Sequence, residues 1–270
     1  MRVSVSNLAW DVTEDSQVAS LLKEFSIDAI DIAPGKYFPV LADASESEIL
    51  SVKNVWLDRN IEIIGMQSLL FGTHGLNVFG EHEIRNRLLA HMKEVCRIGS
   101  ILGATRLVFG SPKNRDCSGL SARETEDISR TFFRALGDIA ADYGVIVCLE
   151  PNPTIYGANF MTSSHETYHV VQEIAHPAIK MQLDTGAIII NQEDILTTIA
   201  HISNLVGHIH ISEANLVPPG DTFNNHAFIA QCLKNLMPNA PVTIEMLATK
   251  DESHILSIRR ALLHVTSLYR

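Results

Sequence analysis

The sequence predicts an α/β protein that folds as a single (β/α)8 barrel over residues 1–270. Short β-rich runs alternate with segments of helical periodicity along the whole chain. Alternating strands and helices build right-handed parallel units, and a closed barrel of such units typically takes about 250 residues. An open doubly wound sheet is the alternative, but its usual GxGxxG motif does not follow the first predicted strand. We therefore expect a closed barrel.

Eight predicted strands follow one another in chain order. They are RVSVSN (2–7), DAIDIA (28–33), IEIIGMQS (61–68), TRLVFGS (105–111), VIVCLEP (145–151), IKMQLDT (179–185), VGHIHIS (206–212) and VTIEM (242–246). No linker rich in Pro, Gly or Ser and no shift in composition separates them. Because the whole chain reads as one series of units, we expect one domain.

The helices between the strands have well-marked starts. The clearest helix is predicted over residues 122–143, where apolar side chains recur every three or four positions. A capping box, in which a Ser precedes a Glu by three positions, is a typical signal of a helix N-terminus. Three such boxes occur, at Ser45 and Glu48, at Ser121 and Glu124, and at Ser163 and Glu166.

Composition and charge restrict the classes of partner. The chain is 46% hydrophobic and 19% charged, which is typical of a globular protein with a sizeable core. Its formal net charge is -10, and no run of Lys and Arg interrupts that balance. Because an acidic surface repels an anionic polymer, we expect a small-molecule partner and no nucleic acid.

The sequence also favours a cytoplasmic protein without membrane contact. No window approaches the roughly 20 apolar residues of a membrane span, and the N-terminus lacks the features of a secretory signal. The cysteines form no CxxC pair and no dense cluster, so neither a disulfide framework nor a thiolate zinc site is predicted. They are Cys96, Cys117, Cys148 and Cys232.

Four polar residues fall at the ends of consecutive predicted strands in the second half of the chain. They are Glu150, Asp184, His210 and Glu245. In a barrel, the carboxyl ends of the strands meet at one face, which carries the active site. Any single residue of this kind is more often a turn or cap residue, but three neighbouring carboxylates repel one another unless a cation lies between them.

This set of side chains therefore predicts a site for one divalent metal ion. Three carboxylates and an imidazole suit Mn²⁺, Mg²⁺ or Co²⁺, and they can also hold Zn²⁺. His208 lies two positions before His210 and so faces the same side of its strand. We expect His208 to be a hydrogen-bonded interior histidine behind the metal ligands, with direct ligation as the alternative.

At these positions the chain resembles the xylose isomerase-like TIM-barrel superfamily, which includes tagatose and psicose 3-epimerases, hydroxypyruvate isomerase and inosose dehydratase. The likeness is sharpest at LEPNP (149–153), QLDTG (182–186), GHIHISE (207–213) and TIEM (243–246). The resemblance implies that the four strand-end residues are the metal ligands and that Glu150 and Glu245 are also the acid/base pair. It further implies homodimers or homotetramers.

The chain departs from the pattern of many relatives at two positions. They carry a His three positions after the strand-end Asp, where this chain has Ala187. They also carry an Arg shortly after the metal-binding His, where this chain has Ser212 to Asn215. Both residues normally hold substrate oxygens, so the resemblance implies the metal site more firmly than the reaction.

Five further residues are candidates for substrate binding. Lys113 follows the fourth strand and is expected either to meet an anionic group or to be solvated. Trp10 follows the first strand and is expected either to stack on a sugar or to pack beneath a loop. Asn152, Tyr156 and Asn159 lie after the fifth strand, where they can line a pocket as hydrogen-bonding groups.

We therefore expect a divalent-metal-dependent isomerase or epimerase that acts on a small sugar, sugar phosphate or sugar acid through an enediolate. A metal-dependent lyase, such as a dehydratase of a cyclic polyol or a dehydroshikimate-type acid, is the main alternative. A DNA-repair enzyme similar to endonuclease IV is disfavoured because that group has additional histidines and a cationic surface. A non-catalytic ligand-binding barrel is disfavoured because both glutamates are present.

Overall fold

Eight parallel strands close into a barrel in the computed structural model, which describes residues 1–222 and 225–270. Each strand pairs with its neighbour in chain order, and β1 completes the ring by pairing with β8. The predicted barrel and its eight strands are confirmed. The strands are β1 Val3–Ser6, β2 Ala29–Ile32, β3 Glu62–Met66, β4 Arg106–Phe109, β5 Ile146–Leu149, β6 Ile179–Asp184, β7 Val206–Ile211 and β8 Val242–Ile244.

Helices cover the outside of the barrel between successive strands. Within the described part of the chain they are α1 Asp15–Glu24, α2 Glu46–Leu57, α3 His82–Leu102, α4 Ala122–Asp142, α5 Ser164–Ile174, α6 Thr185–Ile190, α7 Ile195–Ile202, α8 His226–Leu236 and α9 His254–Tyr269. Each turns an apolar face inward. On α4, for example, Phe133 is fully buried and meets Phe109 of β4 edge to face, with ring centroids 5.5 Å apart.

Two of the three predicted capping boxes form as expected. Ser45 and Ser121 each accept from the backbone N–H of the Glu three positions later, and that Glu accepts from the backbone N–H of the Ser. Ser163 also accepts from the N–H of Glu166. The Glu166 carboxylate instead accepts from the backbone of the preceding loop, so the third box is only half formed.

The described residues bear on two expectations about the chain's environment. All four cysteines are free, and three of them are buried: Cys96, Cys148 and Cys232. They form no disulfide in the described part of the chain. In the part of the chain that the structure describes, no helix combines the length and the apolar character that crossing a membrane requires.

The capping box of α4 gives a test of how this helix is stabilised. We expect Ser121→Ala to lower the free energy of unfolding by about 1 kcal/mol, because the N–H of Glu124 loses its acceptor. Urea denaturation of both proteins measures the difference. Ser51→Ala, an exposed position inside α2, is the control and should change stability by less than about 0.5 kcal/mol. Equal effects from the two variants would contradict a capping role for Ser121.

Candidate metal centre

The four predicted ligands converge at the carboxyl end of the barrel. Glu150 directly follows β5, Asp184 ends β6, His210 lies in β7, and Glu245 directly follows β8. Asp184 and His210 stand opposite each other in the pairing of β6 with β7. One ligand-type atom of each residue lies within 4.8 Å of the corresponding atoms of the other three. His210 Nδ1 is 3.2 Å from Glu245 Oε2 and 3.7 Å from Glu150 Oε1.

Asp184 is held by the local structure on both carboxylate oxygens. Its Oδ1 accepts from the backbone N–H of Ala187 at 2.6 Å and thereby caps α6. Its Oδ2 accepts from the Ser212 hydroxyl at 2.8 Å, and that hydroxyl oxygen accepts from the N–H of Gly186. Asp184 is thus a helix cap and a candidate ligand at once, so the two readings of this residue do not compete.

Each glutamate of the site has one oxygen held and the other directed at His210. Gln67 Nε2 donates to Glu245 Oε1 at 2.5 Å, and Asn152 Nδ2 donates to Glu150 Oε2 at 3.1 Å. The remaining oxygens, Glu245 Oε2 and Glu150 Oε1, are the ones that face His210 Nδ1. The amides therefore fix the carboxylates and leave one oxygen of each for a ligand.

Space beside Glu150 depends on Gly110, the residue that follows β4. A Cβ atom at this position would lie 1.9 Å from Glu150 Oε2, well inside van der Waals contact. Arg115, which is fully buried, supports Glu150 from the main chain by donating from Nη1 to its carbonyl oxygen at 2.7 Å. Burial lowers the pKa of Arg115 to about 10, although the charges of Glu150 and Glu166 oppose the shift.

The charges of the site favour a bound cation. Burial, together with repulsion from Glu245 and Glu150, raises the pKa of Asp184 to about 7. Burial alone would lower the pKa of His210, but the neighbouring carboxylates outweigh it and raise that pKa well above its usual value. Protons thus reduce the excess negative charge when no cation is bound. A divalent ion would serve the same purpose, and three carboxylates with one imidazole fit such an ion.

A second buried group lies beneath the candidate ligands, inside the barrel. His208 Nε2 is 2.6 Å from Asp31 Oδ2, a hydrogen-bond distance, and both side chains are fully buried. Burial alone would raise the pKa of Asp31, but His208 and His210 outweigh it and hold that pKa well below its usual range. Asp31 Oδ2 also lies 3.7 Å from His210 Nε2, so its charge acts on the far side of the candidate ligand.

The patterns in the sequence do not single out Asp31. The available signal was a carboxylate inside an apolar run, since AIDI (29–32) places Asp31 between two isoleucines. A charge at such a position requires a partner, but the partner is 177 residues away along the chain. Gly65 of β3 stands opposite Asp31, where a Cβ atom would lie 2.6 Å from Asp31 Oδ1.

Two of the predicted substrate-binding residues do not face the barrel mouth. Trp10 is fully buried, donates from its indole N–H to Asp15 at 2.7 Å and packs edge to face on Trp56, so no ring face is open to a sugar. The Asn159 amide donates to Asp116 at 2.6 Å and accepts from the N–H of Cys117. It therefore ties two loops together, so the expectation that Asn159 contacts the substrate is corrected, whereas Trp10 takes the second of its two expected roles, which is packing.

The other predicted contacts lie at or near the mouth. Two cavities, of about 220 Å³ and 480 Å³, both reach Glu150 and Glu245. Asn152 and Tyr156 line the larger one, and the Tyr156 hydroxyl accepts from the N–H of Asn215 at 2.9 Å. Lys113 is exposed and follows Pro112, another residue of that wall.

Ala187 and the segment 212–215, where the chain departs from many relatives, take part in local hydrogen bonds. Ala187 is buried, and its backbone N–H donates to Asp184. Glu213, which follows Ser212, is buried, and its side chain points to the loop that follows β7. Its carboxylate accepts from the backbone of Gly220 and Thr222 and lies 3.0 Å from His226 Nε2. The loop after β7 is therefore anchored by an internal carboxylate.

Comparisons with known proteins agree with the barrel fold. A family model described as xylose isomerase-like TIM barrel matches residues 19–263. The structure of D-psicose 3-epimerase from Clostridium cellulolyticum H10 has a TM-score of 0.83 at 17% identity, over 100% of both chains. A 3-keto-D-glucoside 4-epimerase from E. coli has a TM-score of 0.81 at 16% identity, over 99% of both chains. The probable 3-DHS dehydratase of Bacillus anthracis has a TM-score of 0.76 at 14% identity, over 98% of this chain and 99% of that chain.

Gly110 provides a test of the candidate centre. We expect Gly110→Ala to weaken Mn²⁺ binding by at least about tenfold, because the new methyl group displaces the Glu150 carboxylate. Isothermal titration calorimetry measures the affinity. Gly35→Ala is the matched control, since a Cβ atom there meets no other group within 4 Å. Unchanged Mn²⁺ affinity in Gly110→Ala would show that Glu150 does not hold the ion.

The buried carboxylate of Glu213 gives a prediction with a defined pH dependence. Burial alone would raise the pKa of Glu213, but hydrogen bonds from Thr222, Gly220 and His226 outweigh it and lower that pKa. The ionised form therefore stabilises the fold fully above the ordinary glutamate pKa of about 4.3, and this contribution is lost as pH falls through the lowered pKa.

We accordingly expect Glu213→Gln to lower the free energy of unfolding by about 1–3 kcal/mol at pH 7. The difference from the wild-type chain should shrink as the pH drops below about 4. Urea denaturation at several pH values measures both. The exposed Glu173→Gln serves as the control, and a Glu213→Gln deficit that is the same at pH 7 and in acid would contradict the assigned charge state.

Proposed function

The chain belongs to the xylose isomerase-like TIM-barrel family, and on that premise we propose that it is a divalent-metal-dependent epimerase or isomerase of a small carbohydrate. The observation that carries this proposal is the arrangement of Glu150 and Glu245. Each has one oxygen held by a side-chain amide and the other turned toward His210. Both carboxylates reach the cavities at the barrel mouth.

The position of the two glutamates suits transfer of a proton to and from carbon. They follow β5 and β8, which lie three strands apart in an eight-strand ring, so the carboxylates approach the axis from different sides. One glutamate removes the proton from the carbon next to a carbonyl, and the other returns a proton to the resulting enediolate. Return to the opposite face of the same carbon gives an epimer, and return to the adjacent carbon gives an isomer.

A metal ion would be held by Glu150, Asp184, His210 and Glu245 in this proposal. When bound, it supplies positive charge beside the carbonyl and hydroxyl oxygens and so acidifies the neighbouring C–H bond. The protein's own contribution is to fix the donors. Ser212 and the N–H of Ala187 orient Asp184, and Asp31 lies behind His210.

The walls of the mouth favour an uncharged sugar. Among the described residues that line the two cavities, none is a Lys or an Arg. The larger cavity has an apolar side, formed by Pro151, Pro153, Tyr156, Leu216 and Leu247. Such a surface can contact the C–H face of a sugar, whereas a phosphate or carboxylate would meet no cationic side chain in these walls.

One observation favours a lyase as the second candidate. Ala187 presents no polar side chain where many relatives are expected to hold a substrate hydroxyl. In a lyase, the enolate would re-form the carbonyl and a Cα=Cβ bond while the Cβ–O bond breaks, and the second glutamate, in its acid form, would protonate the departing hydroxyl so that it leaves as water. The probable 3-DHS dehydratase of Bacillus anthracis has a similar barrel.

Solvent exchange tests the proposal directly. The protein is incubated with Mn²⁺ in deuterated water against uncharged ketoses, and deuterium at the substrate carbons is measured by NMR. We expect incorporation at one carbon for the wild-type chain. Glu150→Gln and Glu245→Gln should each lower the rate by at least about 100-fold, because the neutral amide cannot act as acid or base. Glu126→Gln, the same change on the exposed face of α4, should leave the rate unchanged.

The outcomes separate the candidates. An ultraviolet-absorbing enone, formed without deuterated starting sugar, would support the lyase instead of the epimerase. Mn²⁺ bound to the protein with neither exchange nor elimination on any sugar of the panel would reject both.

A further inference from the structure

A cluster of histidines lies in the outer layer of helices that surrounds the barrel. The chain has 12 histidines, and three of them meet where α5 and α7 pack side by side. His165 and His169 lie one turn apart on α5, and His201 lies in the last turn of α7. All three residues are exposed. None of them takes part in the proposed reaction.

The spacing of the first two histidines matches that of ligands to one metal ion. His165 Nε2 and His169 Nε2 are 3.2 Å apart, with ring planes at 78°. At the usual Zn–N distance of about 2.0–2.1 Å, two nitrogens 3.2 Å apart subtend an angle of roughly 100–106° at the metal. This angle is close to tetrahedral. The i, i+4 spacing on a helix brings the nitrogens together without any change in the backbone.

The third histidine is positioned by aromatic contacts. The His201 ring lies nearly parallel to that of His165, with centroids 5.8 Å apart. It also packs on Tyr168, with centroids 4.3 Å apart, and Tyr168 is itself buried between the helices. Because His201 is exposed, rotation of its side chain can bring an imidazole nitrogen toward the other two.

We propose that His165, His169 and His201 form a surface site for one divalent transition-metal ion of the Zn²⁺, Ni²⁺ or Cu²⁺ type. Imidazole nitrogens without carboxylates favour these ions over Mn²⁺ and Mg²⁺, which prefer oxygen ligands. The surface site thus differs in chemistry from the candidate centre at the mouth, where three of the four donors are carboxylates. A bound ion joins α5 to α7.

Calorimetric titration with Ni²⁺ on the full metal-stripped chain tests this site. We expect the wild-type chain to bind two ions, one at the mouth and one at the surface. His169→Ala should weaken the surface ion by at least about tenfold, since a ligand is lost outright. His201→Ala should weaken it as well, because the third nitrogen is removed. His82→Ala is the matched control, an exposed single histidine at the start of α3, and should bind as the wild type does.

A second variant separates the two sites. Asp184→Asn removes a negative charge from the ligands at the mouth. It should therefore weaken binding of the ion at the mouth and leave the affinity of the surface site unchanged. If His169→Ala binds both ions with wild-type affinity, the surface site does not exist, whatever happens at the mouth. If His201→Ala behaves as the wild type while His169→Ala does not, the three-ligand assignment is wrong.

Discussion

Repulsion among Glu150, Asp184 and Glu245 is the constraint around which the rest of the mouth is built. Three carboxylates within 4.8 Å of one another cannot all be ionised in a buried setting without a compensating positive charge. The pKa values of Asp184 and His210 are raised because a bound proton on either group reduces this repulsion. Four neighbouring groups hold the carboxylates in place despite the repulsion. They are a serine hydroxyl, two side-chain amides and a backbone N–H in the first turn of a short helix.

The loops around this centre are organised to support it from outside. Glu213 holds the loop after β7 by internal hydrogen bonds, and Tyr156 joins that loop to the one after β5. Arg115 reaches from the loop after β4 to the main chain of Glu150. These contacts link the loops after β4, β5 and β7, so a change in one of these loops affects the other two.

The barrel and the convergence of its strand ends could be predicted from the sequence because both depend on local pattern. Parallel strands in chain order bring their carboxyl ends together, so Glu150 and Glu245 meet although they are far apart in sequence. Asp31 could not be predicted in this way, because its partner His208 is identified only by the closed ring. The sequence also placed Asn159 at the mouth and left two roles open for Trp10, because a loop position alone does not reveal which way a side chain packs. The half-formed box at Ser163 has the same origin, since the nearby loop competes for Glu166.

Three glycines leave the space that the polar side chains of the barrel interior occupy. Cβ atoms at Gly65, Gly110 and Gly186 would collide respectively with Asp31, Glu150 and the Ser212 hydroxyl that orients Asp184. These positions limit how the protein can be engineered. A mutant library that seeks a new substrate can vary Leu216 and Leu247 in the apolar wall, whereas substitutions at these glycines would damage the candidate centre. The useful search space is the rim of the mouth.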